Sequence, residues 1–185
     1  MQRSNLYPYL VPGLFNPEWE EIVVPIGHGV HATLFEDHES EGGIVHATVS
    51  PEGLRSEGLT AEEAHRIALE NLERFATGEQ EWGISAKMLG RPGDAVHFLL
   101  FSDHPRAAAC LRLPHLYAQA THLLEADEIC ACVPQRESLV VFPKRDRAYR
   151  EMVVSKIREI EADARRPITF ELFELTSEGV RPFVE

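Results

Sequence analysis

His31 and His46 sit in near-identical pieces of sequence, Val-His-Ala-Thr at 30–33 and again at 45–48. Between them lies the polar, glycine-containing stretch Asp37 to Gly43, so the two pieces read as strands of a β-hairpin. With Leu34 opposite Val45, Val30, Ala32, Leu34, Val45, Ala47 and Val49 share a buried face. His31, Thr33, His46 and Thr48 then share the other face, and the two imidazoles become diagonal neighbours roughly 5 to 8 Å apart. Imidazoles at that separation can share a metal, with a third ligand from His28, Glu36 or His38. None of these has a diagnostic spacing. The plainer reading leaves both histidines on a half-exposed face with their polar tips in water, and no metal ligand is assigned.

Other reactive residue types also have plain readings. His115, Gln119 and His122 fall in line on a helix, as helical spacing alone requires, and read as a solvated face. Cys130 and Cys132 alternate along a strand and point the same way, but Cys-x-Cys lacks the second pair of a structural zinc site, so they read as small core residues. Cys110 shows no basic or helix-terminal setting that would lower its pKa and make it a nucleophile. The acidic pairs Glu20/Glu21, Asp37/Glu39 and Glu62/Glu63 read as solvated surface. Gly90 to Gly93 lacks the lysine and helix of a phosphate loop, and there is no Gly-x-Ser-x-Gly elbow. No catalytic constellation and no cofactor site follows.

Composition narrows the classes. The 185 residues can bury a core as one domain, expected over 1–185, and a hydrophobic share of 44% is ordinary for a globular chain. Lys and Arg number 18 against 30 Asp and Glu, a formal charge of -12 that repels phosphate backbones; nucleic acid is not an expected partner. No apolar run approaches the roughly 18 to 20 residues needed to cross a bilayer, so no membrane association is expected. Three cysteines leave one unpaired under any disulfide scheme, and no signal core follows the first residues; a reducing cytoplasm is the expected setting.

The elements that must position these residues are largely periodic. Residues 1–17, with three prolines and a glycine, read as an extended N-terminal arm that packs down through Leu, Tyr and Phe. Glu21 to Ile26 reads as a short strand before the Gly27-His28-Gly29 turn. Thr60 with Glu63 is a capping box, and Ala64, Ile67, Ala68, Leu72 and Phe75 continue a helix until Gly78. Glu81 to Lys87 and Ala95 to Phe101 read as strands joined by a turn at Arg91-Pro92-Gly93-Asp94. Pro114 opens a helix with Leu116, Tyr117, Ala120, Leu123 and Leu124 in its apolar stripe. Ile129 to Val133 and Ser138 to Phe142 form a hairpin. Asp146 caps a helix presenting Tyr149, Val153, Ile157, Ile160 and Ala164, with Arg165 and Arg166 at its C-terminal end. Ile168 to Leu175 and Val180 to Val184 form a last hairpin about Ser177-Glu178-Gly179. The expected class is α+β: a mostly antiparallel sheet of hairpins with about three amphipathic helices on one face.

Two of these stretches, Leu59-Thr60-Ala61-Glu62-Glu63-Ala64-His65-Arg66-Ile67-Ala68-Leu69-Glu70-Asn71-Leu72 and Cys130-Ala131-Cys132-Val133-Pro134-Gln135-Arg136-Glu137-Ser138-Leu139-Val140-Val141-Phe142, together resemble the YtpQ-like family of uncharacterised bacterial proteins. The resemblance runs from about 59 to 142 and departs from the family pattern at Glu137, where an aspartate is expected. It implies a fold and a cytoplasmic setting, and no activity or site residues. The functional expectation is a non-catalytic binding or interaction module with a protein partner or self-association. The alternative is a small metal-dependent hydrolase using the histidines of the first hairpin.

Overall fold

The computed structural model describes residues 1–13, 17–41, 43–77 and 84–185. Its strands form two antiparallel sheets. In the first, β1 (Leu6–Pro12) and β2 (Val24–Gly27) flank β3 (Val30–Ser40), and β4 (Gly43–Thr48) pairs with the far end of β3. In the second, β5 (Ser85–Leu89), β6 (Phe98–Ser102), β7 (Ile129–Gln135), β8 (Ser138–Pro143), β9 (Leu172–Thr176) and β10 (Gly179–Pro182) run in the order β10-β9-β7-β8-β6-β5. The helices are α1 (Pro51–Ser56), α2 (Ala61–Thr77), α3 (Leu116–Leu124) and α4 (Arg147–Ile160), with a 3-10 turn at Ala108–Arg112. The α+β class, with antiparallel strands built from hairpins, is as expected.

Local sequence chemistry sets most of the boundaries. Thr60 and Glu63 close the capping box of α2: the Thr60 amide donates to Glu63 Oε2 at 2.9 Å and the Glu63 amide to Thr60 Oγ1 at 3.2 Å. Ser50 caps α1 through the Gly53 amide, and Asp146 caps α4 through the Tyr149 amide at 2.9 Å. The expected hairpin forms, but β7 runs on through Pro134 and Gln135, so the turn into β8 is Arg136-Glu137 alone; β7 and β8 are buried along almost their whole length.

The helices do not share one face: α3 and α4 lie on opposite faces of the second sheet, and α1 and α2 pack on the first. Alternate residues of β7 explain this, because both sets are apolar. Ile129, Ala131 and Val133 join Leu139 and Val141 against the 3-10 turn and α3, in a core that also takes in Leu10, Val30 and Ala32 of the first sheet. Cys130 and Cys132 join Val140 and Phe142 on the opposite face, under Tyr149, Val153 and Ile157 of α4. A third cluster packs Leu6 and Leu34 against Leu54 of α1 and Ala64 and Ala68 of α2.

Three other expectations change. The opening segment, described over residues 1–13 with 14–16 outside the described residues, packs down as a 3-10 turn at Arg3–Asn5 and then the regular strand β1, paired with β3 from Leu6↔Glu36 to Pro12↔Val30. The outer edge of β1 is covered by α2, whose Asn71 amide donates to the carbonyls of Arg3 and Leu6. β6 starts at Phe98 instead of Ala95, because the chain at Val96 folds back onto Gly90; a Cβ there would lie 2.0 Å from the Val96 carbonyl oxygen. α4 ends at Ile160, leaving Ala164, Arg165 and Arg166 beyond it. There the chain returns to β7, where the Ile168 and Thr169 amides donate to the carbonyls of Pro134 and Val133. The expected helix stop at Gly78 and the start of the strand at Glu81 lie outside the described residues.

The first hairpin is the largest correction. His38 pairs with Val45 and Phe35 with Thr48, so Leu34 is not opposite Val45, and most of the stretch read as a loop is strand. Val45 is 54% exposed while Val30, Ala32 and Leu34 are buried. The polar residues His38 and Ser40 of β3 tolerate a strand because they are exposed, while Asp37 is satisfied by His46, Tyr9 and Arg106.

Candidate functional site

Register places Tyr7, Tyr9, Thr33, Phe35, Asp37 and His46 on one face of the first sheet. On this face Asp37 is the hub. Tyr9 donates its hydroxyl proton to Asp37 Oδ2 at 2.8 Å. Arg106, from the segment leading into the 3-10 turn, donates to the same oxygen from Nε at 2.9 Å and Nη2 at 2.6 Å. His46 Nδ1 lies 2.7 Å from Oδ1. A carboxylate only accepts, so His46 carries its proton on Nδ1, and in the neutral ring Nε2 is left as an acceptor. Asp37 and Arg106 are each 5% exposed, and the His46 side chain 15%.

Aromatic and imidazole groups complete the enclosure. The Arg106 guanidinium carbon lies 3.4 Å from the Tyr7 ring centroid and 4.4 Å from that of Phe75 on α2, a cation between two π faces. Buried His104 stacks on Phe75 with 4.7 Å between centroids, and its Nδ1 accepts from the Arg106 amide at 3.1 Å. This fixes the neutral tautomer with a proton on Nε2, which has no partner among the described residues.

These contacts set the charges. Burial acts to raise the Asp37 carboxyl, but the hydrogen bond from His46 and the charge and hydrogen bonds of Arg106 outweigh it, so the group titrates below the usual carboxylate range. Burial, aided by the charge on Asp37, pushes the Tyr9 phenol well above its ordinary value; Tyr9 is a fixed proton donor. Burial and the Arg106 charge bring His104 down to about 4.

Arg136, at the β7–β8 turn, is the one cation of this face that makes no ion pair among the described residues. Its guanidinium carbon lies 5.3 Å from the Tyr9 ring centroid and 5.6 Å from that of Phe35. Burial and the nearby charge of Arg166 both lower its pKa. Backbone pairing brings the two together, since the Arg136 amide donates to the Arg166 carbonyl at 3.3 Å. His46 also lies against Tyr9, with 5.1 Å between ring centroids. An imidazole nitrogen and a guanidinium, neither with a bonded partner among the described residues, therefore flank one aromatic ring.

The residues singled out in the sequence scatter. His31 pairs with Val11 and Pro25 while His46 pairs with Asp37, so the length of β3 between His31 and Asp37 separates the two histidines and they cannot share a metal. His28 lies elsewhere, its Nε2 2.8 Å from the Leu172 carbonyl oxygen. His38 stands beside Glu36 at 3.6 Å with its side chain half exposed. Among the described residues, no three His, Cys, Asp or Glu side chains are grouped to hold a metal ion. Gln119 and His122 are exposed, and His115 meets Glu73 at 3.1 Å. Cys110, Cys130 and Cys132 are buried free thiols, each pushed up to about 12 by burial. Asp37, read as solvated surface, is instead the most heavily bonded acid of the site. Arg106 and His104 carried no local signal, since they acquire their role only through contacts with distant strands.

No helix among the described residues is long and apolar enough to cross a membrane. Compared with family models, curated proteins and solved structures, the chain matches none.

Proposed function

We propose that the protein is a non-catalytic binding module that holds a carboxylate of a protein partner at Arg136, beside His46. The observation that supports this reading is the state of Arg136: a half-buried guanidinium lying over Tyr9 and Phe35, next to a second arginine, with no carboxylate paired to it among the described residues. In a chain of charge -12, Arg136 and neighbouring Arg166 bring two positive charges together; the charges of Glu137 and Asp37 also reach Arg136, but neither acid forms an ion pair with it among the described residues. Planar guanidinium groups recognise carboxylates through parallel hydrogen bonds, and the rings beneath hold the guanidinium in place.

The rest of the face supports binding over catalysis. Both oxygens of Asp37 are engaged, Tyr9 is held in its protonated form, and the thiols are buried. The overall negative charge opposes a polyanion, so the ligand is one acidic side chain or chain end, held within a wider contact. The resemblance to the YtpQ-like family enters as part of this proposal, because Arg136 belongs to one of the two stretches that carry it. The three free cysteines suit a cytoplasmic setting.

Calorimetric titration with the peptide acetyl-Ala-Leu-Glu tests the reading. Saturable binding that weakens about ten-fold in Arg136→Gln and falls as salt is raised supports it. Absence of binding at millimolar peptide, or equal binding by the variant, overturns it.

A further inference from the structure

A second concave site, independent of the Arg136 face, lies between α2, β2 and the end of the 3-10 turn. It is an open groove of about 560 Å³, within the range of small-molecule sites, with walls that include Val24, Leu69 and Pro114. Glu62, His65 and Leu69 recur at helical spacing and so present one face of α2 to it. Arg112 reaches in from the 3-10 turn.

His65 positions that arginine. It is a buried imidazole whose Nε2 donates to the Ile22 carbonyl at 2.8 Å. Its Nδ1 is therefore the acceptor, and Arg112 Nη1 lies 3.3 Å away. Burial and the Arg112 charge both lower the His65 pKa, which keeps the ring neutral and able to accept.

The charged groups of the lining sort in a telling way. Glu21 is paired with Arg55, Glu70 with Arg66, and Glu73 with His115. Among the described residues Glu62 and Arg112 alone in the lining make no ion pair. One carboxylate and one guanidinium thus remain in the lining, Glu62 lying one helical turn along α2 from the His65 that holds Arg112, beside an apolar wall. A simple anion would meet the surplus of glutamates, and a simple cation would leave the half-buried Arg112 uncompensated.

We infer that this groove binds a free α-amino acid with an apolar side chain, its carboxylate on Arg112, its ammonium on Glu62 and its side chain against Leu69 and Val24. The zwitterion alone satisfies both unpaired groups while burying apolar surface.

The test is titration of the intact chain with L-leucine, followed by calorimetry and by amide NMR shifts of α2 and the 3-10 turn. The comparison ligands are 4-methylpentanoate, which lacks the ammonium, 3-methylbutylamine, which lacks the carboxylate, and glycine, which lacks the apolar side chain. Saturable binding of leucine is expected, with each comparison ligand about ten-fold weaker or worse. Arg112→Gln and Glu62→Gln should each weaken leucine binding about ten-fold. Glu62 is exposed, so the second variant tests the site without disturbing packing. No saturation by about 10 mM leucine, a comparison ligand binding as tightly as leucine, or leucine affinity unchanged in Glu62→Gln would each overturn the inference.

Discussion

Asp37 and Arg106 stand 69 residues apart in the chain and meet as a buried ion pair, Nη2 to Oδ2 at 2.6 Å. The contact ties the β3–β4 hairpin of the first sheet to the segment that leads from β6 of the second sheet into the 3-10 turn. Removing one member of a buried pair leaves the other charge without compensation, which costs about 3 to 5 kcal/mol. Asp37→Ala and Arg106→Ala should each lose about that much in urea unfolding. The double substitution should lose clearly less than the sum, as expected of residues in direct contact.

Acid should weaken the fold before the carboxylates protonate. His104 titrates at about 4 in the folded protein, against about 6.5 for an unperturbed histidine. Below pH 6.5 the unfolded chain takes up a proton that the folded one refuses, so the contribution of His104 is complete above pH 6.5 and is lost as pH falls towards 4. The full linkage is about 3 kcal/mol. The depressed Asp37 carboxyl has the same sign in a lower window, present above the unfolded value near 4 and lost below it. Unfolding curves collected between pH 7 and 4 should slope less in His104→Asn than in the parent chain.

Two glycines of one loop should respond differently to alanine. Gly90 (φ +77°) and Gly93 (φ +96°) both have left-handed backbones, but a Cβ on Gly90 would meet the Val96 carbonyl oxygen at 2.0 Å while one on Gly93 would meet nothing within 4 Å. Gly93→Ala should cost about 1 kcal/mol for the backbone alone, and Gly90→Ala about 2 kcal/mol more. Thermal unfolding of the two variants checks the order.

The thiols should be silent in the folded protein. All three are buried and titrate near 12, so a thiol reagent at pH 8 should modify none of them until denaturant is added. Modification of Cys130 or Cys132 in native buffer would mean that α4 lifts from the sheet.

How far the sequence could be read depended on how local each cause was. The capping box of Thr60 and Glu63, the Asp146 cap and the existence of the β7–β8 hairpin are settled by neighbours in sequence, and each was legible, although the turn proper is only Arg136-Glu137. The register of the first hairpin was not, because the apolar repeats around His31 and His46 invited a pairing that ignores β1. Once Leu6 to Pro12 occupies one side of β3, that strand runs on to Ser40, and Asp37 falls opposite His46. His46 was flagged for chemistry, but its partner is a carboxylate in its own hairpin instead of a metal shared with His31. Arg106 and His104 lie in a short irregular segment where no periodicity operates. Arg136 was visible only as part of a family-like stretch; its setting over Tyr9 and Phe35 needs both sheets in place.

The most direct measurement is the side-chain Nε–H resonance of Arg136 in nitrogen-15 spectra, followed as acetyl-Ala-Leu-Glu is added and assigned by its loss in Arg136→Gln. A saturable shift of that resonance, accompanied by the ring signals of His46 and Tyr9, is the predicted result. An Arg136 signal that stays in place while the peptide reaches millimolar concentration would contradict the proposal that this guanidinium receives a partner's carboxylate.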